Sequence, residues 1–89
     1  MKVKNVMEVG KFVKDYADED KLIKVLASAE DEMDVIKATF DAITCTCIEM
    51  GIKDHLESQV RQGVKEAYLE LSYTEYGFLL GLGANIELE

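Results

Sequence analysis

KLIKVLASAEDEMDVIKATFDAITCTCIEM, residues 21–50, carries an apolar stripe in unbroken steps of four and three: Leu22, Leu26, Ala29, Met33, Ile36, Phe40, Ile43, Cys47 and Met50. That spacing keeps side chains on one side of an α-helix and is the a/d pattern of a helix packed lengthwise against another. The phase predicts one helix over residues 19–50, about 48 Å long at 1.5 Å per residue. Ser28 with Asp31 could start a new helix, but the stripe keeps its phase across them, which favours continuity. Residues 43–48, Ile-Thr-Cys-Thr-Cys-Ile, are rich in β-branched side chains and alternate as a strand would. No turn residues bracket them, so the helical phase decides.

Outward toward the N-terminus, Val6, Val9, Val13 and Tyr16 repeat at helical spacing, with Phe12 widening the face, and predict a helix over 3–16. Asp18 is placed to cap the following helix, with Glu19 and Asp20 in its first turn, where carboxylates complement the helix dipole. Toward the C-terminus, Gly51 reads as a helix stop. Asp54 with Glu57 has the shape of a capping box. A link of two to four residues would force an antiparallel hairpin. The third stripe, Leu56, Val60, Val64, Ala67 and Leu71, predicts a helix over 54–87. A break at Ser72-Tyr73-Thr74-Glu75, with a short final helix over 76–82, is the competing reading, and the absence of glycine or proline from 64 to 76 favours continuation. The expected fold is all-α: one domain over 1–89, a helical bundle built on a long antiparallel helical hairpin plus a shorter N-terminal helix.

Composition supports that class. Proline is absent and 48% of the 89 residues are hydrophobic. A chain this short buries only about 60–65% of its unfolded surface, and self-association is a common remedy. Eighteen acidic residues against ten basic ones give a net charge of −8. Nucleic-acid phosphates and anionic membranes repel such a chain, so neither is expected as a direct partner, and a basic protein surface is. Residues 1–16 lack the continuous apolar core of a signal peptide, and no stretch approaches the ~20 apolar residues of a membrane span. Two cysteines at this spacing do not form a secreted disulfide framework. The expected compartment is the cytoplasm.

The candidate chemistry is sparse. On a helix, Cys45 and Cys47 point about 200° apart and cannot close an unstrained disulfide. Cys47, on the stripe, reads as a small buried hydrophobe. His55 is the only histidine and no acid–base partner is placed beside it. The acidic cluster Asp18, Glu19, Asp20, Glu30, Asp31 and Asp34 lacks the glutamate–histidine steps of a di-iron bundle and the glycine of a calcium loop; it reads as a solvated face or as a docking patch for a basic partner. Gly77 and Gly81, flanking Phe78 in an apolar run, form a G-x-x-x-G that lets helix backbones approach closely. Phe40, Ile43, Cys47, Gly77, Phe78 and Gly81 are therefore the expected helix-packing or dimer contacts. No catalytic, cofactor or metal site is expected.

The functional expectation is a non-catalytic regulator or adaptor working through protein–protein contact, as a homodimer. The alternative is an acidic inhibitor: in size and charge the chain resembles small phage proteins that block restriction or CRISPR nucleases, whose carboxylates imply mimicry of DNA phosphates.

Overall fold

The computed structural model describes residues 1–89 and is mostly helical. Its elements are β1 (Lys2–Val3), α1 (Val6–Tyr16), α2 (Glu19–Ser28), α3 (Glu32–Arg61), β2 (Leu69–Glu70) and α4 (Tyr73–Leu82). The spine is α3, 30 residues and about 45 Å long, nearly the 48 Å longest dimension of the molecule.

Local chemistry explains each boundary. Asp18 caps α2 by accepting the backbone N–H groups of Asp20 and Lys21. Asp31 does the same for α3 with Met33 and Asp34. Between them Ala29 is extended, so the expected helix over 19–50 is two helices. The cap of Asp31 outweighs the continuity of the stripe, because a satisfied cap contributes about 1 kcal/mol whereas the a/d phase has force only where a second helix covers it. The short link that was expected at residues 51–54 falls instead at 29–31, and α2 folds back beside the first half of α3.

Gly51 does not stop the helix: α3 runs through it, and through Asp54 and Glu57, to Arg61. The stop comes at Gly63, where φ is +74°, a left-handed backbone that glycine adopts without a Cβ penalty. The hairpin of helices 19–50 and 54–87 is thus not the arrangement adopted. Residues 62–68 form a loop, Leu69 and Glu70 are strand, and Ser72 starts a new helix through a complete capping box with Glu75. This final helix begins one turn earlier than the competing sequence reading placed it and ends at Gly83, φ +96°. The N-terminal helix begins at Val6 rather than residue 3, because Lys2 and Val3 pair antiparallel with Glu70 and Leu69. Leu88 bridges Val3 from the other side.

The core gathers where these pieces meet, on the second half of α3. Cys45, Ile48 and Ile52 of α3 pack against Val9 and Val13 of α1, Val3 of β1, Leu69 and Leu71, and Leu79 of α4. Gln59 is the one buried polar side chain. Its amide donates to the Tyr68 carbonyl (2.6 Å) and its carbonyl accepts the Tyr68 N–H (3.0 Å), so it satisfies a loop that has no ladder of its own. The chain's α-ammonium pairs with Glu70, which holds that carboxyl below its ordinary range, chiefly through the hydrogen bond. The Asn5 side chain clips the C-terminal segment by donating to the Asn85 carbonyl and accepting from the Glu87 N–H.

Candidate interaction face

α3 is apolar on two sides. One side, Ala42, Cys45, Ile48 and Ile52, is the buried one. The other carries Met33, Ile36, Phe40, Ile43 and Met50, each between 59% and 68% exposed, together with exposed Cys47. Residues two apart on a helix point about 200° from each other, which is why Cys45 lies in the core and Cys47 lies outside. The expectation that Cys47 sits in the core is corrected: the wheel was sound, but the chain packs on the opposite face. Phe40, Ile43 and Cys47 make no helix packing within the chain. They sit on a contiguous apolar strip more than 25 Å long, counted at about 1.5 Å per residue. Patches of this kind on soluble proteins mark interaction sites.

Burial separates the two thiols chemically. Desolvation, with a smaller contribution from Asp41, pushes the Cys45 thiol up to about 11, so it stays protonated and unreactive near neutral pH. In dilute solution at pH 8 a thiol reagent is expected to modify one cysteine per chain, Cys47, and to reach Cys45 only after unfolding. Peptide mapping of the modified protein reads this directly; rapid labelling of Cys45 would contradict its burial.

The other sequence-identified residues fall away from this strip. Asp18, Glu19, Asp20, Glu30, Asp31 and Asp34 are all exposed. Asp18 and Asp31 are turned onto their own helix N-termini as caps, and Glu19, Asp20 and Asp34 lie in first turns, where they complement the dipole. Of the glycine run, Phe78 turns inward against the core, while Gly77 and Gly81 face open space with nothing near a would-be Cβ. The expected close helix contact at these glycines is absent within the chain. Gly77→Ala and Gly81→Ala are each expected to raise stability by about 0.5–1 kcal/mol, measured by urea denaturation. A loss instead would reveal a neighbour pressed against that side of α4.

His55 packs edge-on to Tyr68, ring centroids 5.5 Å apart, and Lys2 lies over the same Tyr68 ring. It is ten residues along α3 from Cys45, about 15 Å, so thiol and imidazole of one chain do not meet. No three His, Cys, Asp or Glu side chains converge as a metal site. Between α2 and α3 a cleft of about 360 Å³ is lined by Leu22, Val25, Ala38, Lys21, Lys37, Asp34 and Asp41 among others. Ser28 also lines it and donates its hydroxyl to the Val25 carbonyl (3.0 Å). No helix is long and apolar enough to cross a membrane.

Gln59 and Asn5, which tie the loop and the C-terminus to the helices, carry no sequence signal as lone amides. Leu69, Glu70 and Leu71 alternate, but three residues are too few to mark a strand. No protein-family model, curated protein or solved structure matches the chain, and function is argued from its own surface.

Proposed function

We propose that this chain is a small, non-catalytic, cytoplasmic interaction protein that works as a homodimer joined along the outer face of α3. The observation that carries the reading is the strip Met33, Ile36, Phe40, Ile43, Cys47 and Met50: six consecutive a/d positions, all exposed. An isolated chain gains nothing from a/d periodicity on a face it leaves in water. Burying such side chains between two helices contributes about 25 cal/mol per Å² of apolar area. Six from each copy, at roughly 100 Å² apiece, remove about 1,200 Å² before flanking contacts, the lower end of a stable interface. The acidic residues remain on the outside of that dimer, and they favour a second, basic protein partner at low ionic strength.

The alternative reading as an acidic nuclease inhibitor rests on the acidic residues alone, and of these Asp18 and Asp31 hold backbone N–H groups of their own chain.

Light scattering across a dilution series tests the dimer. The expected mass is twice the 10.0 kDa of the chain at about 100 μM, falling toward the single-chain mass on dilution. Cys47 labelling is expected to slow over the same concentration range, since the dimer covers it. A single-chain mass at the highest concentration reached would overturn the proposal.

A further inference from the structure

The strip is palindromic. Read from Met33 to Met50 its steps are three, four, three, four and three, and they are the same read backwards. Two copies laid antiparallel therefore bring every apolar position of one onto an apolar position of the other: Met33 onto the second copy's Met50, Ile36 onto its Cys47, Phe40 onto its Ile43. In antiparallel helix pairs a faces d, and positions flanking the seam face their own kind. On one flank this sets Glu32 against the second copy's Lys53, and Thr39 against its Thr46. On the other it sets Lys37 against Thr44. No like charges meet along these flanks.

Parallel pairing would also align the apolar positions, but its charges differ. Glu30, Asp31, Glu32 and Asp34 crowd the N-terminal end of α3. Of these only Glu32 flanks the strip; Asp34 lines the cleft toward α2 and Asp31 caps α3. Parallel copies would bring both acidic ends to one end of the dimer, with Glu32 facing the second copy's Lys37, whereas antiparallel copies set them at opposite ends of the seam. Like charges at close quarters cost free energy, and antiparallel alignment also opposes the two helix dipoles. Asp54, the next a position after Met50, ends the seam where the second copy's α3 begins.

The geometry points to a two-fold antiparallel dimer along α3, its axis passing between the Phe40 and Ile43 pairs and a Glu32–Lys53 ion pair closing each end. This rests on the homodimer reading above and commits it to one register. In that register the two Cys47 side chains stand about 16 Å apart along the axis, at 1.5 Å per residue, beyond disulfide reach. Parallel pairing would place them face to face.

Oxidation with diamide separates the arrangements. The wild type is expected to give no covalent dimer. Ile36→Cys is expected to give one, with the mapped disulfide joining position 36 of one copy to Cys47 of the other. Because Ile36→Cys alters the seam itself, a charge exchange provides a second reading: Glu32→Lys and Lys53→Glu each weaken the dimer roughly threefold to tenfold, two exposed pairs being involved, and the double variant restores the wild-type dissociation constant. A Cys47–Cys47 disulfide in the wild type, or a dimer in which neither the position-36 crosslink nor the charge rescue is seen, overturns the register and leaves the dimer standing. A single-chain mass at all concentrations overturns both.

Discussion

Phe40→Asp combined with Ile43→Asp is expected to abolish association while leaving the chain folded. The two side chains are about three-fifths exposed in the single chain, so their loss removes no core contact. Surface changes of this kind cost a few tenths of a kcal/mol each, and aspartate in a helix interior adds somewhat more. The expected fall in single-chain stability is within about 1–2 kcal/mol, read as a urea midpoint at concentrations where the wild type is already dissociated. Association is another matter. Phe40 and Ile43 flank the two-fold axis, so the double change places four carboxylates within one apolar contact, each desolvated and repelled by the others. Central aromatic anchors typically dominate an interface. A rise of at least a thousandfold in the dissociation constant, about 4 kcal/mol, is expected by light scattering. Collapse of far-UV circular dichroism in this variant would mean that the strip is core in the folded chain. Unchanged association would place the dimer contact elsewhere.

The same two faces show what the sequence disclosed and what it withheld. Helix type was legible over Val6–Tyr16 and across residues 43–48, where periodicity outweighed strand-like composition and the chain is helical in α3. Asp18 as a cap was legible too, from a short polar acceptor before two acids. The errors share one cause. The strongest stripe was taken as the core, when α3 carries a second one through Ala42, Cys45, Ile48 and Ile52. Periodicity shows that a face is apolar; it does not show whether this chain or another covers it. Reading the stripe as core also carried the helix through residues 29–31 and made Gly51 its end. Gly51 has negative φ inside a helix held by packing on both sides of it, so propensity was overridden. The true stop, Gly63, was passed over because the stripe Val60, Val64 and Ala67 keeps its helical phase across it. The β1–β2 pair joins residues some 68 positions apart, a contact no local pattern announces.

Leu79→Ala is expected to act in the opposite way, costing stability and sparing association. Leu79 is the one fully buried side chain of α4, and with Phe78 and Leu82 it holds that helix to the core. Large-to-small changes at such sites cost about 2–5 kcal/mol. An 89-residue chain has a total of roughly 5–13 kcal/mol at typical stability per residue, so the loss is a large part of the whole. It would appear as a fall in urea midpoint, with α4 amides exchanging hydrogen faster than those of α3 if the helix detaches by itself. The dissociation constant of the folded variant should stay within about twofold of wild type, because the core and the strip lie on opposite sides of α3 and share no side chain. Combining Leu79→Ala with Ile43→Asp then tests the division of labour within the one helix. Independent sites add to within about 0.5 kcal/mol, and a larger coupling would mean that α3 transmits strain from its packed face to its open one. With α3 a continuous helix held by Cys45, Ile48 and Ile52 along the inside, the expected result is additivity: the core fixes the helix as a rigid strut, and the strut presents the strip.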